Sequence, residues 1–330
     1  MRDDKQSRYD EQITTLTLKA GAGIVFLARH PRLRCFGTAA TVSLFSTWVD
    51  PTQDEATWHL RTITFEAAFV ILKAFFDTST RVKSGIFCIA GYAFSKLQLQ
   101  KFDADWTRLF GKYRGCHMKE LVHCEGRFRG IERAEADRLL KEAVRILRKR
   151  TSYGAVVSCN LNEMHSLLPR WIHGFEHAYP VCCHLVMATL ANAITESGEA
   201  HRVDYVFEEG DAYSGCARDF MENTYDCPEL KESYRHASHA FLEKSDALAL
   251  QAADLLAWEW AKFMDESMYQ RVRPMRLSLA NLMNRHDTFD PTIYKVAHLQ
   301  GESLRRFMQQ VHGLGLLELR ERQGAKRSAA

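Results

Sequence analysis

The feature that most constrains the fold is an apolar run that stops at an acidic residue. Residues 67–80 read AAFVILKAFFDTST, so aromatic and aliphatic side chains lead directly into Asp77 and three hydroxyl residues. Such a run is typical of a strand covered on both faces, although a short buried helix gives the same pattern. We therefore predict an α/β fold with a central strand that ends at Asp77. This residue either begins a polar turn or supplies a carboxylate at the sheet edge, where open α/β sheets place their sites.

The composition sets outer limits on the kind of protein. With 330 residues, 46% of them hydrophobic, the chain can form one large domain or two ordinary ones. A net charge of +3 neither requires nor excludes a nucleic-acid partner. The nine cysteines are an odd number without CxxC spacing, which favours a reducing cytoplasm. Residues 20–28 are apolar but too short to span a bilayer, so we expect no membrane association.

Sequence patterns divide the chain into three parts. Residues 1–65 lack sustained periodicity, and their composition indicates an N-terminal extension that is at least partly disordered. Residues 66–266 contain the strand and helix patterns of a folded domain. Residues 267–330 form a predicted helical C-terminal extension, with helices near 276–284 and 291–314 and a frayed tail.

A hairpin and a basic helix follow the first strand. Residues 85–94 are a second predicted strand, and Ser95 is placed to cap a helix that runs to about Phe110. Residues 131–150 have the apolar period of an amphipathic helix, and the opposite face is basic. That face is either simply solvated or contacts phosphates. The candidate nucleic-acid contacts on it are Arg138, Lys141, Arg145 and Arg148.

Histidine and cysteine cluster between residues 116 and 124. Cys116, His117, His123 and Cys124 are of the types that bind zinc, but their spacing does not match the familiar structural zinc sites. We keep zinc as a lesser alternative. The preferred interpretation is that His117 is a catalytic or substrate-orienting residue.

Two further acidic elements lie in the second half of the domain. Residues 201–208 alternate as a strand does and end in Glu208, with Asp211 three residues later. Residues 245–263 are nearly apolar all round, as in a buried helix, with Ser245 at the expected N-cap. Asp254 in the middle of this helix requires a partner or a cation, because a buried unpaired charge is costly. Gln251, one turn earlier, is placed to orient it.

Five short motifs follow one another over about residues 68–264. They are Asp77-x-Ser79, Gly91-Tyr92, His117-Met118, the segment from Tyr205 to Asp211, and Leu250-Gln251-Ala252-Ala253-Asp254-Leu255-Leu256-Ala257. In this order they resemble a bacterial and phage family called domain of unknown function 3800.

The resemblance implies a ribonuclease H-like mixed sheet flanked by helices, with acids on the first strand, a later strand and a late helix. Those acids would be Asp77, Glu208 (with Asp211 beside it) and Asp254, and His117 would be an accessory residue. The chain departs from the family at Thr78, where the family usually has an acid.

Clustered carboxylates suit Mg²⁺ or Mn²⁺, and a pair of such ions can assist displacement at phosphorus. The leading hypothesis is a divalent-metal-dependent phosphodiesterase, that is, a nuclease acting on RNA or DNA. Its metal ligands would be Asp77, Glu208, Asp211 and Asp254. The alternative is a non-catalytic nucleic-acid or protein-binding module on the same fold. If the acids converge, their mutual repulsion should raise the pKa of at least one of them.

Overall fold

A computed structural model describes residues 70–167, 175–209, 214–268, 274–283 and 293–313. The predicted extension over residues 1–65 lies outside the described residues, as does Asp211. The described strands form a six-stranded mixed sheet in the order β5-β4-β1-β2-β3-β6. They are β1 (Ile71–Arg81), β2 (Ile86–Ser95), β3 (Tyr153–Asn160), β4 (Arg202–Glu208), β5 (His236–Leu242) and β6 (Ile293–Leu299).

The sheet combines an antiparallel centre with parallel edges. Strands β1, β2 and β3 pair antiparallel in sequence order, while β4 runs parallel to β1 and β5 runs parallel to β4. Strand β6 pairs parallel with β3 at the opposite edge. The predicted α/β class and the predicted central position of β1 are therefore confirmed.

Helices cover the two faces of the sheet. They are α1 (Lys96–Phe110), α2 (Met118–His123), α3 (Arg133–Arg150), α4 (Leu161–Leu167), α5 (Phe175–Glu196), α6 (Ser214–Asp226), α7 (Pro228–Ser233), α8 (Leu248–Met268), α9 (Leu277–Met283) and α10 (Gly301–Gly313), with short 3₁₀ helices at Gly111–Tyr113 and Gly126–Phe128. Of the helices in these ranges, none has the length and apolar character of a membrane span.

Two apolar cores lie on opposite faces of the sheet. Helix α5 packs on one face, and α8 packs across β1 and β2 on the other, together with α1 and α3. Alternation along β1 divides its side chains between these cores, so Phe76 belongs to the α5 side and Phe75 to the α8 side. Since β1 is covered on both faces, its continuous apolar run is explained.

Strand β1 does not end at Asp77, as the sequence had indicated, but continues to Arg81. Its pairing with β4 stops after Phe76, whereas its antiparallel pairing with β2 continues from Asp77 to Arg81. The hydroxyl residues stay in the strand because β2 still pairs with them. Gly91 of β2 allows this close pairing, since a Cβ there would lie 1.8 Å from the carbonyl oxygen of Phe75.

Several helix predictions hold and others need correction. Ser95 caps α1, where its hydroxyl accepts a hydrogen bond from the backbone N–H of Gln98. The amphipathic helix predicted over 131–150 is α3. Helix α5 begins at Phe175 and contains Pro180. Ser245 is not the N-cap of α8, because a turn separates it from the first helical residue, Leu248.

The predicted C-terminal extension is not entirely helical. Residues 293–299, expected to be part of a helix over 291–314, form β6 and pair with β3, and helix α10 follows within the described residues. Side chains such as Val296 suit a strand as well as a helix, and the open edge of β3 offers a full set of hydrogen-bond partners. Residues beyond 266 therefore contribute to the same sheet as the core of the domain.

Candidate functional site

Asp77 and Glu208 come together because their strands are adjacent and in register. Phe75 of β1 pairs with Val206 of β4, and both side chains pack in the core on the α8 side. Asp77 and Glu208 each lie two residues further along, so alternation places both carboxylates on that same side. The sequence prediction that these two acids converge at one end of the sheet is consistent with this geometry.

Asp254 reaches the same place from α8. The helix is buried from Ala249 to Ala261 and lies across β1 and β2. Oxygen Oδ2 of Asp254 accepts a hydrogen bond of 2.5 Å from the backbone N–H of Met118, the first residue of α2. Gln251 does not orient Asp254, contrary to the sequence expectation, since its side chain is used elsewhere. It accepts a hydrogen bond from Trp106 Nε1 and donates one to the carbonyl oxygen of Tyr113.

A lysine that sequence reasoning missed lies between the three carboxylates. The Nζ atom of Lys244 is 2.8 Å from Asp77 Oδ2, 2.8 Å from Glu208 Oε1 and 3.8 Å from Asp254 Oδ1. Its side chain is only 6% exposed. Lys244 follows β5 by two residues and continues on the face of Leu242, which packs against the core on the α8 side. We call Asp77, Glu208, Asp254 and Lys244 the acidic site.

His117 lies at the solvent side of the acidic site. Its Nδ1 atom is 3.1 Å from Lys244 Nζ and 3.7 Å from Asp254 Oδ1. Because an ammonium only donates hydrogen bonds, Nδ1 accepts from Lys244 and the ring proton resides on Nε2. The imidazole is 46% exposed, so it is the part of the site that a ligand can touch first. The prediction that His117 accompanies the acids agrees with this position.

Burial and mutual repulsion perturb the protonation of the carboxylates. Burial raises the pKa of Asp77 well above its usual value, the charge of Asp254 adds to this, and Lys244 opposes it only in part. Burial alone would raise the pKa of Glu208 too, but a hydrogen bond with Asp77 and the charge of Lys244 hold it below its usual value. The direction of the Asp77 shift is the one expected for converging acids, but burial contributes more to it than the repulsion between the carboxylates.

Asp254 and Lys244 remain charged despite their burial. For Asp254, burial is outweighed by its contact with His117, by the charge of Lys244 and by the hydrogen bond from the backbone N–H of Met118, so its pKa is lowered. For Lys244, burial is outweighed by the three carboxylates, so its pKa is raised. The acidic site therefore contains a buried ammonium held by ionised acids, with Asp77 as the acid that most readily keeps a proton.

Thr78 does not disturb this cluster. Side chains alternate along β1, so residue 78 projects from the face opposite to Asp77. Its backbone N–H lies 2.6 Å from Asp77 Oδ1 and donates to it. An acid at position 78 would therefore extend toward the α5 side, and its absence leaves the three converging carboxylates in place.

The residues of the zinc alternative do not converge. Cys116 is buried and its Sγ accepts a hydrogen bond from Gln251 Nε2, while the pKa of its thiol is raised by burial to about 12. Cys124 Sγ lies by the carbonyl oxygen of Leu121, and the ring of His123 packs edge-on against an indole. Within the described ranges, no set of three or more His, Cys, Asp and Glu side chains forms a ready-made metal site. The zinc alternative is therefore not supported.

The basic face of α3 is exposed but partly paired. Arg138 makes a two-pronged ion pair with Glu135, and Arg145 makes the same kind of pair with Glu142, each one helical turn apart. Lys141 is exposed and Arg148 is half-buried on the same helix. Such surface pairs are weak, so their guanidinium groups can exchange a glutamate for another anion.

The donor chemistry of the acidic site suits a hard divalent cation. Three carboxylates offer oxygen ligands only, and together they carry more negative charge than the one ammonium beside them compensates. Asp77 Oδ2 is buried and, among the described residues, accepts no hydrogen bond with good geometry. The obstacle is Lys244, whose ammonium lies where an ion shared by the carboxylates would lie. The oxygen ligands are of the type that Mg²⁺ and Mn²⁺ take, although the described residues as they stand form no ready-made metal site.

Comparison with known proteins gives no match. No protein-family model, no curated protein and no solved structure matches the chain.

Proposed function

We propose that the protein is a divalent-metal-dependent phosphodiesterase that cleaves nucleic acid at the acidic site. The observation that carries this proposal is the convergence of Asp77, Glu208 and Asp254, from three separate elements, on one buried point. Buried acids are rare unless they have a task or a partner, and three acids around one lysine exceed what an ion pair requires.

A ribonuclease H-like fold is part of the proposal. The resemblance to the domain of unknown function 3800 family implies acids on the first strand, a later strand and a late helix of a mixed sheet. Asp77 on β1, Glu208 on β4 and Asp254 on α8 occupy those places. The mixed sheet with helices on both faces supports the same assignment.

The three carboxylates and His117 each have a task in the proposed phosphodiester hydrolysis. Asp77, Glu208 and Asp254 would hold Mg²⁺ or Mn²⁺, which supplies charge stabilisation at the phosphorus centre and activation of water. The backbone N–H of Met118 fixes the orientation of Asp254. His117 faces solvent at the rim, where its Nε2–H can donate to a phosphate oxygen or to the departing oxygen as the phosphorus–oxygen bond breaks.

The basic face of α3 is the proposed contact with the nucleic-acid backbone. Contacts to phosphate oxygens position a nucleic acid without reading its sequence, and arginine is well suited to them. The glutamates that now pair with Arg138 and Arg145 would be exchanged for phosphates on binding.

A second candidate is a binding module without catalytic activity. Lys244 favours it, because an ammonium that permanently occupies the space between the carboxylates would leave a folded scaffold with no place for a metal ion. The two candidates differ in one measurable respect, since only the enzyme needs a divalent ion.

Incubation of the purified protein with labelled single-stranded, double-stranded and hybrid oligonucleotides, with Mn²⁺ or with EDTA, tests the proposal. We expect Mn²⁺-dependent products from wild type and none from Asp77→Asn. The matched control is Asp204→Asn, which removes a carboxylate from the same strand as Glu208. This carboxylate accepts a hydrogen bond from the Ser238 hydroxyl and does not belong to the acidic site, so the variant should remain active. Binding without products under all metal conditions would replace the enzyme with the binding module.

A further inference from the structure

The ammonium of Lys244 is buried between carboxylates, as a bound cation would be, whereas the ammonium of a surface lysine is in water. Its Nζ atom contacts two carboxylates at 2.8 Å and a third at 3.8 Å, and it also contacts the imidazole of His117 at 3.1 Å. A lysine ammonium is a compact point charge on a flexible stem. Within the site it therefore has the position and the sign of charge that a bound cation would have.

The ammonium and a divalent ion would compete for the same oxygens. Asp77 Oδ2 and Glu208 Oε1 are both in direct contact with Nζ, so an ion that binds these atoms must take the place of the lysine head group. Two cations a few ångströms apart in a site this buried also repel each other strongly. Occupancy by one therefore excludes the other.

The backbone around Lys244 allows the side chain to leave without unfolding the site. Residue 244 lies in the turn between β5 and α8 and outside both elements. The turn is fixed by a hydrogen bond from Asp246 N–H to the Glu243 carbonyl oxygen and by one from Arg114 to the Ser245 carbonyl oxygen. Four rotatable bonds separate the Lys244 backbone from its ammonium. The head group can move by several ångströms while the turn stays in place.

We propose that Lys244 is a tethered counter-ion that fills the metal position of the metal-free protein and withdraws when the metal binds. It keeps the buried carboxylates compensated in the absence of metal, and by competing it sets the metal concentration at which the site loads. This inference rests on the proposed function, since it presupposes that the acidic site takes a divalent ion.

Calorimetric titration with Mn²⁺ tests the competition. Lys244→Met removes the ammonium and keeps the length and most of the volume of the side chain, and we expect it to bind Mn²⁺ at least about tenfold more tightly than wild type. The matched control is Lys96→Met, which removes the same charge from an exposed position at the start of α1. It should bind Mn²⁺ as wild type does. Equal affinity of wild type and Lys244→Met would overturn the inference while leaving the metal site intact.

A second measurement uses the wild-type protein and does not depend on the stability of a variant. An amine-acylating reagent, followed by mass spectrometry of peptides, should leave Lys244 unmodified in EDTA and modify it in saturating Mn²⁺. Lys96 should react equally in both conditions. Protection of Lys244 in the Mn²⁺-bound protein would show that the ammonium stays in the site, contrary to the inference. If no Mn²⁺ binds to either wild type or Lys244→Met, the proposed function itself is wrong.

Discussion

The stability of the metal-free protein should depend strongly on Lys244. In wild type, its ammonium lies within ion-pair distance of Asp77, Glu208 and Asp254, and all three acids are largely buried. Lys244→Met leaves these acids without their lysine counter-ion. Part of the lost compensation is recovered by protonation, most easily at Asp77, whose pKa is already raised by burial.

The size of the effect follows from the burial of the groups. Removal of one partner from a buried ion pair typically costs about 3–5 kcal/mol. In a fold of this size, 1 kcal/mol corresponds to a change in melting temperature of roughly 2–4 °C. We therefore expect Lys244→Met to melt about 6–20 °C below wild type in EDTA at neutral pH.

Thermal melts of four proteins in EDTA measure this directly: wild type, Lys244→Met, the exposed control Lys96→Met and the double variant Asp77→Asn/Lys244→Met. The control should melt as wild type does. The double variant should recover part of the loss, because it removes an acid together with the lysine that compensates it, and contacting residues are energetically coupled. If Lys244→Met melted within 1–2 °C of wild type, which corresponds to less than about 1 kcal/mol, the ammonium would not compensate the buried acids and our account of Lys244 would be refuted.

Three further predictions test other parts of the structure. Asp254→Asn should change the stability in EDTA by less than about 1 kcal/mol, since its amide oxygen can still accept a hydrogen bond from the Met118 N–H. Wild type should gain about 2.7 kcal/mol of stability when Mn²⁺ is present at a hundredfold excess over the Kd. The variant should lose this gain, as calorimetric melts will show. Burial lowers the pKa of His184 to about 4, so its contribution to stability is present above the unfolded pKa of about 6.5 and lost, at up to about 1.4 kcal/mol per pH unit, as the pH falls toward 4. In urea unfolding, the free energy of unfolding should fall less between pH 7.5 and pH 4.5 for His184→Gln than for wild type. An equal fall in the two proteins would contradict the assignment. If the basic face of α3 contacts phosphates, neutralising four residues should reduce the slope of log affinity against log salt by roughly four units in a binding titration. An unchanged slope would show that this face is solvated and does not contact phosphates. Those residues are Arg138, Lys141, Arg145 and Arg148.

The parts of the fold with strong local patterns could be predicted from the sequence. Strand β1 has a long apolar run, the segment of β4 alternates, and α8 is apolar on all sides, so each was recognised together with its acid. Which face of the sheet Asp77 and Glu208 share depends on strand pairing. In the sequence, only the family resemblance implied that these strands bring the two acids together. The register of β1 with β4 shows independently that the two strands are neighbours.

Lys244 could not be predicted because its position depends on a weakly patterned strand. The sequence of β5, HASHAFL, has small and polar residues and no β-branched residue, so it lacks the composition of a strand. Only its parallel pairing with β4 carries Lys244 to Glu208. The same reason explains β6, where pairing with β3 overrides a sequence that is equally compatible with a helix.

A crystal soaked in Mn²⁺ tests the central claim most directly. Anomalous scattering locates manganese without reference to the rest of the site. We predict a peak bound by Asp77, Glu208 and Asp254, with the Lys244 ammonium no longer in contact with Asp77 and Glu208. The contradicting result is a structure at saturating Mn²⁺ in which the Lys244 ammonium is still within about 3 Å of both carboxylates and no anomalous peak lies beside them. That result would rule out both the metal site and the metal-dependent activity that we propose.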